Sequence, residues 1–104
     1  MRPYLAAAIQ MTSTPDLAKN LNEAEELIDL AVRQGAEVIG LPENFSFLGK
    51  EVDKIAQAAA IAEKTEKFLK TIAQRFQITL LGGGFPVPDG AETGKAFNTA
   101  LMIG

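Results

Sequence analysis

The chain has no cysteine and no histidine in 104 residues. Without cysteine there can be no disulfide and no thiolate chemistry within it. Without histidine a Ser–His triad is excluded, so Ser46 has no such base. With both missing, zinc sites of the usual kind are excluded as well. Long apolar runs are also lacking, and nothing reaches the length of a membrane-spanning helix. The segment LAAAI at Leu5–Ile9 is short and runs into polar Gln10, so it does not read as a signal-peptide core. A basic excess is missing too. Formal net charge is −3 and the isoelectric point is about 4.9, which argues against nucleic acid or an anionic membrane as partner. A cytoplasmic location is the default expectation.

What remains is an ordinary globular composition, 47% hydrophobic and 22% charged. The length suits one domain or part of one. A chain of this size buries roughly 60–70% of its unfolded surface, enough for one modest core.

The residues from Tyr4 to Met11 form a continuous apolar run that predicts a strand buried on both faces, as in a parallel sheet. TSTPD then offers helix-start chemistry, with Thr14 as cap, Pro15 as first helical residue and Asp16 suited to the helix dipole. Leu17, Leu21, Ala24, Ile28, Ala31 and Val32 recur at helical spacing, which predicts an amphipathic helix from Asp16 to Gln34 stopped by Gly35. Ala36 to Leu41 reads as the second strand, giving a β–helix–β unit with a right-handed crossover. Val52 to Ala62 and about Thr65 to Phe76 read as two helical pieces. Gln77 to Leu81 is a third strand with Gly82–Gly84 at its end. Phe85 to Lys95 reads as a loop or hairpin connection, and Ala96 to Ile103 as a fourth strand. The order β-α-β-α-β-β implies α/β with a mixed sheet. A hydrophobic strand as last element is an exposed edge, which leads us to expect the front part of something longer.

The sharpest candidate for chemistry lies at VIGLPENFSFLG. Val38, Ile39 and Leu41 form the strand and Pro42 stops it. Glu43 follows at the C-terminal end of that strand, where α/β folds place their chemistry. One reading is a carboxylate that caps a turn or faces solvent. The other is a general base or acid at the mouth of a sheet, with Phe45 and Phe47 expected to strip water from it. Gly82-Gly83-Gly84 could suggest a phosphate loop, but no Lys–Ser/Thr helix start follows and no G-x-G-x-x-G is completed. Close backbone packing or a bulge fits better. Asn98–Thr99 reads as a pair that satisfies buried backbone groups beside the sheet. The lysines sit among polar neighbours and read as solvated. Lys50 and Lys54 follow the Glu43 loop without specific spacing.

In order, the chain carries an apolar strand ending in Gln10-Met11, a helix with Asn20, GAEVIGLPENF, LLGGGFP and FNTALMIG. This order resembles the N-terminal part of the nitrilase, or carbon–nitrogen hydrolase, superfamily, and the resemblance covers the whole chain. FSFLG at Phe45–Gly49 is most similar to the nitrilase-related amidases of deaminated glutathione and the ω-amidases. The resemblance implies a four-layer αββα sandwich, of which residues 1–104 would be the incomplete N-terminal portion, usually paired into homodimers. It implies amide hydrolysis of small ω-amides by a Cys–Glu–Lys triad without metal or organic cofactor. Glu43 matches the family's base. The family's Lys follows the FNTA strand and its Cys lies further on, so neither has a match here, and Lys95, which precedes FNTA, does not take the Lys role. The isolated chain is therefore expected to be inactive. The alternatives are a non-catalytic interaction module, one part of a split enzyme, and a small phosphate-binding α/β protein with its ligand at Gly82–Gly84.

Overall fold

A computed structural model describes residues 5–88 and 96–104, without the side chains of residues 96–98. Seven elements follow one another: β1 (Leu5–Ala8), α1 (Leu17–Arg33), β2 (Ala36–Gly40), α2 (Glu51–Ala56), α3 (Ala58–Phe76), β3 (Thr79–Pro88) and β4 (Ala96–Ile103). The strands form one sheet in the order β1-β2-β3-β4. The first two pairings are parallel and the last is antiparallel, so the expected mixed sheet is found.

Helix α1 starts where its side chains make it start. Asp16 is the cap, and its carboxylate accepts the Lys19 amide at 3.1 Å. Thr14, the expected cap, instead accepts the Asp16 amide on its hydroxyl and so shapes the turn before the helix. The helix ends at Gly35, whose φ of +98° is open to glycine and costly for any other residue. Among the described residues a Cβ there would touch only Leu5 Cδ2, at 4.0 Å. The cost of Gly35→Ala is therefore backbone strain alone, about 1 kcal/mol. Urea unfolding should show that loss without a change in m-value.

Helix α3 is longer than its sequence suggests. The expected break between residues 62 and 65 does not exist; the chain breaks at Gln57 instead. Ile61, Thr65, Leu69, Ile72 and Ala73 form one continuous buried stripe, so packing carries the helix straight through the polar stretch. Strand β3 is also longer than expected. It runs through the three glycines and on to Pro88, with a register shift between Gly82 and Phe85. β2 leaves the ladder at Leu81, so beyond it one edge of β3 has no partner strand among the described residues and tolerates Pro86 and Pro88. The rest of the expected connection, residues 89–95, lies outside the described residues. Strand β4 has the expected bounds.

The core lies between the sheet and the two long helices. Ala24, Ile28, Leu69 and Ile72 from the helices meet Ile39, Leu80 and Phe85 from the strands. Arg75 bonds Glu25 at 3.1 Å and ties α3 to α1, though both side chains are too exposed for this to add much. Among the described residues no helix covers the sheet's second face. Strand alternation puts Ala6, Ala8, Val38, Leu81 and Met102 there, and Leu81 and Met102 are 41% and 72% exposed. The expectation that β1 is buried on both faces is thus corrected. Leu5, Ala6 and Ala8 are exposed, because β1 is an edge strand with helices on one side alone.

Candidate active site

The site is a turn laid along the end of β3. After β2, Leu41 donates its amide to Leu81 O at 2.8 Å. The chain then turns at Pro42–Phe45, where the Phe45 amide reaches Pro42 O at 3.2 Å. Asn44 holds a left-handed φ of +56°, a conformation Asn tolerates better than most residues. Its amide donates to Gly84 O at 2.7 Å. Glu43 therefore sits between two anchor points on β3, beside Gly83, at the C-terminal end of β2.

The turn is clamped from the other side by the loop between β1 and α1. Asn20 is completely buried in α1. Its Nδ2 donates to Thr14 O at 2.6 Å and to Ser46 O at 2.8 Å. Its Oδ1 accepts the Thr14 amide at 3.0 Å and the Thr14 hydroxyl at 3.2 Å. The Ser13 hydroxyl donates to Phe45 O at 2.8 Å, and the Leu48 amide to Thr14 O at 3.1 Å. Phe45 and Phe47 anchor the same stretch by burial, at 0% and 1% exposure.

The burial of those two rings corrects one expectation. They were expected to strip water from Glu43. Both point into the core instead, and Glu43 is exposed on the other side of the turn. A carboxylate on a turn held to β3 and to the loop before α1 can keep a fixed direction at the protein surface. That arrangement suits proton transfer.

The other candidates separate from this one. The phosphate-loop reading of Gly82–Gly84 fails, since the glycines lie inside a strand rather than before a helix. The close-packing reading holds. A Cβ on Gly83 would lie 2.4 Å from Pro42 C and O and 2.6 Å from Glu43 N. Thr99 pairs with Phe85 in the ladder, whereas the Asn98 side chain and Lys95 lie outside what is described. Ser46 is buried with its hydroxyl unpartnered among the described residues. Lys50 is the exposed residue before α2. Among the described residues no cluster of three or more acids could hold a metal ion. No helix among them is long and apolar enough to cross a membrane.

The fold recurs in known proteins. Residues 5–104 match the profile of the carbon-nitrogen hydrolases. The chain belongs to that family. It is 70% identical over 103 residues to a deaminated glutathione amidase of Synechocystis, spanning 99% of this chain and 38% of that protein. An omega-amidase of Xenopus tropicalis is 31% identical over 110 residues, spanning 100% of this chain and 37% of its own length. Among solved structures, the nitrilase and fragile histidine triad fusion protein of Caenorhabditis elegans superposes with a TM-score of 0.84 at 35% identity. That match covers 94% of this chain and 24% of the other. An amidase from Nesterenkonia sp. superposes at 0.79 with 29% identity, over 93% and 36%. A variant of the Nesterenkonia amidase carries acrylamide added at its active site cysteine. The chain thus has the nitrilase fold's α/β architecture and spans well under half the length of these relatives. One helix layer and one sheet of the αββα sandwich are present in it.

Proposed function

We propose that this chain supplies the general base of an amide hydrolase acting on small ω-amides, with Glu43 as that base. The observation that carries the reading is the placement of Glu43 on an anchored turn at the C-terminal mouth of β2, in a chain 70% identical to a deaminated glutathione amidase. In the reaction, a cysteine thiolate attacks the amide carbonyl after Glu43 takes the thiol proton. The tetrahedral adduct collapses to a thioester as the C–N bond breaks, and Glu43 passes the proton to the leaving amine, which departs as ammonia. Water, deprotonated by the same carboxylate, then releases the acid and restores the thiol.

These 104 residues hold no cysteine, so the thiol has to come from another segment or another chain. On this reading the chain is the N-terminal portion of a hydrolase domain, and the uncovered sheet face is where the sandwich's second sheet packs. We place the assembled enzyme in the cytoplasm as a homodimer that handles a small amide, with neither nucleic acid nor membrane as partner.

A chimera tests the reading. This chain replaces the aligned 103 residues of the Synechocystis amidase, and ammonia release is followed on deaminated glutathione and on α-ketoglutaramate. Turnover on either amide is the expected result. A folded chimera that releases no ammonia from any ω-amide sinks the proposal. The isolated chain should show no turnover above its own Glu43→Ala variant, because a covalent route without its nucleophile loses several orders of magnitude in rate.

A further inference from the structure

Gly83 touches the backbone on which Glu43 is mounted. Its φ is not in the left-handed region, so conformational freedom is not why glycine stands there. Space is the reason. Any Cβ would meet Pro42 C and O at 2.4 Å and Glu43 N at 2.6 Å, where ordinary contact begins at 3.4 Å. All three are backbone atoms, so no rotamer change relieves the overlap. The turn would have to withdraw from β3 by about 1 Å.

The neighbouring glycine is a built-in contrast. A Cβ on Gly82 would lie 2.5 Å from Leu69 Cδ1, again too close. There the obstacle is the far end of a side chain in the core, which can move. Gly82 faces the helices and Gly83 faces the turn, as alternation along a strand requires. Two adjacent glycines therefore have separable roles: one admits a core leucine and the other admits the acid's backbone.

We infer that Gly83 is the positioning residue for Glu43, setting where the carboxylate stands by letting the Pro42–Glu43 backbone rest directly on β3. The inference depends on Glu43 being the base. The hydrogen bonds from Leu41 to Leu81 O and from Asn44 to Gly84 O bracket the contact and fix the turn's height over the strand. With Gly83 enlarged, the two bonds cannot keep their length while the segment between them rises. A displacement near 1 Å at a catalytic group costs on the order of 10²-fold in rate.

The experiment compares Gly83→Ala with Gly82→Ala in two settings. In the 104-residue chain, hydrogen exchange is read at single amides. Gly83→Ala should speed exchange of the Asn44 amide at least tenfold relative to the core amide of Ile28. Gly82→Ala should show no such selectivity. In the Synechocystis chimera, Gly83→Ala should lower kcat about 100-fold with KM within threefold of the parent. Gly82→Ala should lower the melting temperature but keep kcat within threefold. Equal kcat in the two variants overturns the inference. If Gly83→Ala does not fold, Asn44→Val decides, since a β-branched residue is disfavoured at φ +56° and strains the same turn while leaving Gly83 in place. A kcat loss with KM retained then supports the positioning role, and an unchanged kcat overturns it. Full activity in Glu43→Gln would instead remove the base assignment itself, a distinct failure.

Discussion

Replacing Glu43 by glutamine in the Synechocystis chimera should abolish most of its amidase activity while leaving the protein folded. Glutamine keeps the shape and one acceptor oxygen but cannot take a proton. A general base contributes on the order of 10²–10⁴-fold. In the proposed mechanism the same carboxylate serves both thioester formation and its hydrolysis, so we expect a kcat loss near the upper end. KM should change little, because the removed interaction belongs to the transition states rather than to ground-state binding. The protein should stay folded, since Glu43 is exposed and the turn that carries it is held by the Asn44 amide on Gly84 O and by Asn20 on Ser46 O. The assay is steady-state ammonia release, paired with thermal unfolding of the same sample. A kcat within tenfold of the parent would remove Glu43 from the mechanism and return it to the alternative reading, a solvent-facing turn residue.

The parts of this fold that were legible in the sequence are those that local chemistry determines. Leu17 to Val32 show a helical stripe that ends at Gly35, and α1 follows it. Ala96 to Ile103 reads as a strand and is one. Pro42 ends β2 and leaves Glu43 just beyond it, so the candidate acid was visible from residue order alone. What stayed hidden depends on distant partners. Gly82–Gly84 look like a strand end and Phe85 onward like a loop or hairpin connection, yet pairing with β4 overrides that preference and extends β3 to Pro88. Thr65 looks like a helix boundary, yet a buried stripe on either side carries α3 through it. Phe45 and Phe47 look like a hydrophobic wall for Glu43, but a left-handed Asn44 turns the chain so that the rings and the acid face apart. Asn20 stands in the pattern that carries the family resemblance, but nothing around it in sequence shows that it is a clamp. A polar residue near a helix start is common, and only the fold brings Ser46 to it.

Asn20 leads to the second large effect, on stability. Its side chain makes four hydrogen bonds and has no exposed surface. It holds the loop before α1 and the acid-bearing turn to one another. Asn20→Ala removes the donor from Thr14 O and Ser46 O and the acceptor from Thr14 N. Each buried group left unsatisfied costs about 1–3 kcal/mol, and a small cavity adds to that. We expect a loss of about 3–5 kcal/mol, a large share of the roughly 5–15 kcal/mol typical of a domain. Asn20→Asp tests the direction of the bonds. It preserves shape and the Oδ1 acceptor but aims a carboxylate oxygen at two carbonyl oxygens, so it should be no milder than alanine. Urea midpoints of the three proteins measure this, and a loss under 1 kcal/mol for both variants would show that water replaces the clamp. The Ser13 hydroxyl, which reaches Phe45 O, joins the same two segments. Ser13→Ala should therefore be costly in the parent and nearly silent once Asn20→Ala has freed the turn. That non-additivity is the signature of two bonds holding one joint.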